Sequence, residues 1–428
     1  MSEILENPHG NCSLGGASAT LSAIRRVIPL FHAGPGCAMQ TTAGEANQGS
    51  IRLPYYTAYT AIPCTNMLER EVVFGGEKKL DAFLEAALEL LDADAFFVLT
   101  GCTAGIIGDD VKSVVQTYRE QGAPVYAVET AGFLGESYRG YEIAMQALLE
   151  NIVAPNPAGK DPGLVNLIGV VPYHDPYWEG NLEELVRLLH AIGLRVNTFF
   201  SHEQGIDHVK SASAASLNII VHPWLLQGFA KAFEQRFGTP SLRFAGVPLG
   251  AVDTAEFLRQ VAKATGKEQE AAELIEAENR YFYRYLETGI GLQSWRKFSV
   301  VGESTNVIPI TRFLANEYSF TPEIAIVTDV VFRQSDKEYI TEQLTQLEYP
   351  PAPEIVFTGD QWEINQALAR HPESAVLIGS TNEHEFAMGR MMQFLCACYP
   401  NSERLLFNRS LAGWRGALTF MEDIYSNL

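Results

Sequence analysis

AFFVLTGCTAGIIGDDV, residues 95–111, runs from an apolar stretch into a glycine-rich turn that carries one cysteine. Ala95–Leu99 reads as a buried strand, and the turn with Gly101, Gly105 and Gly108 leads into a helix. Strand, turn and helix in that order form the unit of a parallel sheet. The same rhythm recurs at Val27–Phe31, which meets Gly-Pro-Gly and then a helical pattern around Cys37. Leu80, Phe83, Leu84, Ala87, Leu88 and Leu91 fall at helical spacing between the two units.

Working outward, the chain divides into three α/β segments. The fold class expected is α/β, with three Rossmann-like domains of mostly parallel sheet flanked by helices. The first is 1–163 and carries four of the six cysteines, the second is 164–297, and the third is 298–428. APNPAGKDPG, 154–163, is the breaker between the first two. The second segment offers strands at Val165–Val171, Leu194–Phe199 and Leu217–Val221, a helix at Leu182–Ala191, and a long helical stretch from Thr254 to Leu292. The third offers strands at Phe298–Gly302, Glu323–Thr328, Glu354–Phe357 and Ala375–Ile378. Two of their turns echo each other, GESTN at 302–306 and GSTNE at 379–383. Both sit where open α/β sheets place ligands, and both also read as helix-capping turns.

With 428 residues, 47% of them hydrophobic, every segment has enough apolar mass for a core. A formal charge of −20 argues against nucleic acid or an anionic membrane surface as partner. No apolar run is long enough to span a bilayer. The N-terminus lacks the pattern of a signal peptide, so a cytoplasmic location is expected. There is no G-x-x-x-x-G-K-[ST] phosphate loop for ATP.

The cysteines carry the chemistry. Cys12 in NCSLGGA, Cys37 in HAGPGCAMQ and Cys102 in TGCTAG each sit beside glycine at a helix start. A helix N-terminus favours thiolate, the form that binds iron. Glycine lets the backbone approach what the sulfur holds. One such cysteine alone reads as a small buried hydrophobe. Three in one segment point to an iron–sulfur cluster, and a set of three suggests completion by another chain. Cys64, after Pro63, is a candidate fourth ligand in a different setting. A catalytic thiol is the other option, with His32 as the one candidate base near these loops in sequence.

HAGPGCAMQTT at 32–42, VVFGGEKKL at 72–80 and TGCTAGIIGDDV at 100–111 resemble, in order and spacing, the nitrogenase component 1 superfamily. LAGWRGALTFMEDIY at 411–425 extends the resemblance to the end of the chain. The resemblance implies paired sister subunits, one type holding the active-site metallocluster and the other completing a second cluster at their interface. This chain resembles the K-type (beta) subunit. IIVHPWLL, 219–226, has Pro223-Trp224 where a D-type chain presents its cofactor-anchoring cysteine. By resemblance, Cys12, Cys37 and Cys102 hold half of a P-cluster of the 8Fe-7S type, with 4Fe-4S as alternative. A D-type sister would complete it in a heterotetramer of two D-type and two K-type chains. Phe74 matches the phenylalanine where a homodimeric, ATP-dependent iron–sulfur reductase docks. The catalytic residues are expected in the sister chain.

Gly132 in ETAGFLGES occupies the place of a serine that can bind the oxidised cluster in molybdenum nitrogenase. The chain is also short before Cys12. Both features suggest a nitrogenase-like relative that cleaves carbon–sulfur bonds, most like the K subunit of methylthio-alkane reductase. The alternatives are a vanadium or iron-only nitrogenase, an N-type maturation scaffold, and a metal-free Rossmann-like enzyme acting on a nucleotide or sugar. Among the remaining residues, Asp109 and Asp110 read as acids in the first turns of a helix, and His174 as a turn or surface histidine. Glu383, His384 and Glu385 read as a solvated helix start. Cys396 and Cys398, read on a helix, are expected in the core rather than as a ligand pair.

Overall fold

The computed structural model describes residues 6–46, 62–156, 158–201, 203–289 and 296–426. Its strands form three sheets, and every pairing among the described residues is parallel. The first contains β1 (Val27–His32), β2 (Ala95–Thr100) and β3 (Val125–Val128) in that order. The second contains β4 (Asp161–Ile168), β5 (Arg195–Asn197), β6 (Ala215–Ile220) and β7 (Ser241–Arg243), ordered β5-β4-β6-β7. The third contains β8 (Lys297–Gly302), β9 (Thr321–Val327), β10 (Glu354–Phe357), β11 (Val376–Gly379) and β12 (Gln393–Cys396), ordered β10-β9-β8-β11-β12. The strand order reverses between β4 and β6 and between β8 and β11. Crevices open at the carboxyl ends of such pairs.

In the first sheet the register runs from Val27 opposite Ala95 to His32 opposite Thr100. β1 and β2 therefore end level, and the turns that follow them emerge side by side. Both strands are buried along their whole length, as unbroken apolar runs in parallel sheets are. The helices of this region are α1 (Ser13–Ser22), α2 (Pro35–Ala46), α3 (Glu69–Phe74), α4 (Glu77–Leu90), α5 (Cys102–Ile107), α6 (Val111–Glu120) and α7 (Ser137–Asn151). Apolar side chains from all three sheets merge into one core, with Tyr141, Phe199, Phe257, Phe298 and Trp414 among its largest members.

Several elements differ from the sequence expectation. α1 starts at Ser13, directly after Cys12, so Cys12 is its N-cap. The stretch from Thr254 is two helices, Gly250–Thr265 and Glu268–Gly289, broken where Gly266 adopts φ +67°. Cys396 ends β12 rather than lying on a helix, and both it and Cys398 are buried as expected.

α1 is buried on every side and lies against α7. A Cβ at Gly16 would come within 1.9 Å of the Ser137 carbonyl oxygen. Gly16→Ala is expected to destabilise the protein by about 3 kcal/mol through overpacking, read as a lowered denaturant midpoint at unchanged slope. An unchanged midpoint would mean that the two helices are free to part.

Candidate metal centre

Three cysteines at helix starts and the turns after β1, β2 and β3 build the centre. Cys12 caps α1 in an extended conformation, with φ −80° and ψ 169°. Cys37 lies in the first turn of α2, its amide donating to the Gly34 carbonyl at 3.2 Å. Cys102 is the first residue of α5, after Gly101. Gly101 donates its amide to the His32 carbonyl at 3.0 Å, and a Cβ there would sit 2.6 Å from that of Ala33. Only a bare backbone lets the Cys37 and Cys102 turns meet this closely. A third turn, after β3, closes the set. A Cβ at Gly132 would lie 3.0 Å from the Cys102 Sγ and 3.3 Å from the Cys12 Sγ.

Hydrogen bonds hold that third turn to the end of β2 and to the start of α1. Thr130 donates its amide to Thr100 Oγ1 at 3.0 Å and its hydroxyl to the Thr100 carbonyl at 3.0 Å. Ser13 Oγ donates to the Ala131 carbonyl at 2.9 Å. Asn11 and Ser137 exchange two bonds of 2.7 and 2.9 Å, and Cys12 bridges Glu136 antiparallel.

The sequence-predicted thiols are thus brought together. Cys12 and Cys102 are exposed and Cys37 is half-buried. Burial pushes the Cys37 thiol up, and the neighbouring sulfurs of Cys12, Cys102 and Cys64 act in the same direction. Among the described residues no three His, Cys, Asp or Glu side chains are placed to hold a metal ion. A mononuclear ion needs all its donors at about 2.0–2.6 Å. A cluster of several irons accepts each thiolate at a separate iron, so this spread donor set suits a cluster. The soft thiolates agree.

Cys64 plays a different part. It is half-buried beside β1, its thiol donating to the Ala33 carbonyl at 3.3 Å and receiving the Asn66 amide at 3.4 Å. Burial pushes its thiol up. As a thiol it supports the turn that carries Cys37.

His32 does not face the cysteines as a base. Its ring is fully buried, with Nε2 2.8 Å from Asp109 Oδ2 and Nδ1 3.2 Å from Thr65 Oγ1. Burial lowers its pKa in spite of the Asp109 carboxylate. Asp109 also accepts the Gly76 amide on both oxygens, at 2.9 and 3.1 Å. This buried acceptor ties the turn after Phe74 to β1. Its neighbour Asp110 is the N-cap of α6, accepting the Ser113 amide. The pair is expected in the first turns of a helix; instead both precede α6, with Asp110 as its cap and Asp109 bonded to His32 and Gly76. Phe74 itself is 82% exposed, and Met39, Ile106 and Phe133 are exposed on the neighbouring α2, α5 and post-β3 turn.

Two further expectations are corrected. His174 is buried and stacked on Tyr399 at 4.5 Å, with burial pushing its pKa down to about 4. It belongs to the crevice beyond β4 and β8, together with Asp175, His222, Trp224, Glu303 and Asp329. Trp224 Nε1 donates to Asp329 Oδ2 at 2.8 Å, and Tyr138 from α7 faces His174, His222 and Trp224. Glu383 is not solvated. It is fully buried and accepts from the Ser380 amide and hydroxyl, each at 2.7 Å. The crevice contacts join residues far apart in sequence, which no local pattern announces, whereas Ser380 and Glu383 form a capping box that the Ser-x-x-Glu spacing could have shown.

The model of the family described as nitrogenase component 1 type oxidoreductase matches residues 12–428. The chain belongs to that family. Within it, the chain is 25% identical over 418 residues to the nitrogenase iron-molybdenum cofactor biosynthesis protein NifE of Clostridium pasteurianum, covering 96% of this chain and 86% of that one. NifE of Methanococcus maripaludis is 29% identical over 274 residues, 63% of this chain, and the match spans about half, 54%, of that relative. The nitrogenase molybdenum-iron protein beta chain of Methanococcus maripaludis is 23% identical over 464 residues, covering 99% of this chain and 94% of the other. The solved structure titled "Nitrogenase Cp1 at pH 6.5" superposes with a TM-score of 0.83 at 18% identity, over 100% of this chain and 94% of its own. The parallel-sheet α/β fold is therefore that of nitrogenase component 1. No described helix is long and apolar enough to cross a membrane.

Asp109→Ala removes the acceptor of the Gly76 amide and of His32 inside the protein. The variant is expected to lose about 1–3 kcal/mol of stability, measured by chemical denaturation. It should also speed proteolysis at the α3 turn. Equal stability and equal cleavage would show that the bond does not hold that turn.

Proposed function

We propose that this chain is the K-type subunit of a nitrogenase-like reductase. Cys12, Cys37 and Cys102 hold its share of an interfacial P-type iron–sulfur cluster, and the D-type sister supplies the remaining thiolates. The observation that carries the reading is the meeting of three glycine-lined turns that present three thiols on one face. When bound, the cluster supplies one-electron storage between an ATP-dependent iron–sulfur reductase and the substrate-reducing metallocluster of the sister. The chain's own residues hold and tune it. Cys12 caps α1 and Cys37 lies in the first turn of α2, so the positive dipole ends of both helices favour an anionic cluster there. Exposed Met39, Phe74, Ile106 and Phe133 form an apolar rim of the kind that a partner covers.

The assignment of substrate reduction to the sister follows from the crevice beyond β4 and β8. That is where an α/β sheet holds a ligand. Here Tyr138, His174, His222 and Trp224 occupy it, each more than nine-tenths buried. Pro223-Trp224 therefore acts as filling rather than as an anchor. The match to a beta chain along nearly the whole sequence supports the K-type reading.

The proposed reaction is reductive cleavage of the carbon–sulfur bond of small methylthio-alkanes, which Gly132 supports. A cluster ligated at that turn by a serine would have a different oxidised state, and Gly132 offers no side-chain oxygen. The alternative substrate is dinitrogen, as in a vanadium or iron-only enzyme. A second reading, a cofactor-maturation scaffold, is favoured by the NifE relatives. Turnover of a methyl thioether or dinitrogen by the purified complex with its reductase would exclude it.

The complex should be co-purified without oxygen and its iron counted. Cys102→Ala is expected to lose cluster iron, the cluster's paramagnetic signal and reductase-dependent turnover together. Full iron with an unchanged signal would make Cys102 an ordinary packed thiol and end this reading. Phe74→Ala should instead keep the iron and lower reductase-dependent turnover about tenfold or more, the usual scale for a central aromatic anchor. Wild-type turnover at limiting reductase would remove Phe74 from the docking surface.

A further inference from the structure

The six residues before Cys12 form a strap whose first part, Glu6 to His9, docks on turns of the third sheet. The Gln361 amide donates to the Glu6 carbonyl at 2.9 Å, and Asn382 Nδ2 donates to the Asn7 carbonyl at 3.2 Å. His9 is the centre of this contact. Its Nε2 lies 2.8 Å from Gln361 Oε1 and 3.2 Å from Glu383 Oε1. All three side chains are at least 95% buried.

Glu383 is only half-satisfied by hydrogen bonds. Its Oε2 takes the Ser380 amide and hydroxyl, while its Oε1 receives no hydrogen bond and faces the His9 ring. A buried carboxylate oxygen in that state is costly unless a cation accompanies it. The strap therefore has a charged anchor at one end. At the other end Asn11 is bonded twice to Ser137 at the start of α7, and Cys12 enters α1, which is locked against α7. Cys12 follows Asn11, and the segment that leads to it is held by turns of the third sheet at one end and by α7 at the other.

We propose that His9 is a positioning residue for the Cys12 thiolate, fixing it through the buried contact with Glu383 and Gln361. The proposal rests on the reading of Cys12 as an iron ligand. It also predicts a pH response. Burial by itself lowers the His9 pKa. The Glu383 carboxylate, then Gln361 and the Tyr399 backbone, outweigh it and raise the value. Glu383 is the charged group facing the ring, while Gln361 and the Tyr399 backbone are its neutral neighbours. The anchor is therefore complete below the unfolded histidine value of about 6.5. It is lost as pH rises through the raised folded value.

The test uses the purified complex, with hydrogen-exchange protection of residues 6–12 and the cluster's paramagnetic line shape as readouts. In wild type, protection corrected for intrinsic exchange should fall as pH rises above 6.5. Glu383→Gln and His9→Ala should lower protection about tenfold at pH 6, the scale of one charge-assisted hydrogen bond. Both should flatten the pH response and change the line shape. His9→Gln, which keeps a neutral donor, should restore part of the protection without the pH response. Unchanged protection in both variants overturns the proposal. So does lowered protection with an unchanged line shape, because His9 would then anchor the strap without positioning the thiolate. A Cys12→Ala complex that keeps its full iron content would overturn the reading of Cys12 itself, and the exchange data would still report the strap.

Discussion

The centre depends on the close approach of backbones at Gly101 and Gly132. Two strands that end in register can deliver their turns to the same edge, but side chains at the turns would hold them apart. At Gly101 a single methyl group would collide with Ala33, and at Gly132 it would press on two sulfurs. The thiols share a face because nothing stands between the turns that carry them. A cluster in that position would meet backbone rather than side chains, and amide N–H groups could then tune its potential.

The apolar part of the fold was legible because parallel strands buried on both faces leave unbroken runs. β1, β2, β6 and β10 lie within a residue or two of the runs that announce them. The approach of Cys37 and Cys102 was legible for a related reason: strand, glycine and cysteine form a local pattern, and the register of β1 and β2 makes it a spatial one, while Cys12 has no strand before it. Helix starts were less readable. Nothing in NCSLGGASA distinguishes a helix beginning at Ser13 from one beginning at Gly16, because the burial of α1 comes from α7, more than a hundred residues away.

The polar residues were misread for one physical reason. A histidine or glutamate in a turn is exposed by default, since burying it costs several kcal/mol without a partner. His174 and Glu383 escape that default through partners from other sheets. His174 stacks on Tyr399, and Glu383 meets His9 from the opposite end of the sequence. GESTN and GSTNE show the same limit. The pattern identifies both as turns at strand ends, and the GSTNE turn is capped by Ser380 as expected. It does not reveal that Glu303 and Glu383 both point inward, one into the crevice and one onto the strap.

The crevice explains how one architecture can serve two kinds of subunit. An open α/β sheet leaves a hollow at the point where strand order reverses, and a protein must either place a ligand there or fill it. This chain fills it with aromatic rings and with acids bonded by neutral donors. Asp329 is held by Ser304 and Trp224, and Asp175 by Tyr177 and Asn181. Burial pushes Asp175 up to about 6 and holds Glu303 well above the usual carboxylate range. Burial thus favours the neutral forms throughout the hollow, pushing its acids up and its histidines His174 and His222 down. A filling of this kind joins the elements around the sheets, with Tyr138 of α7 against Trp224 and Trp224 bonded to Asp329.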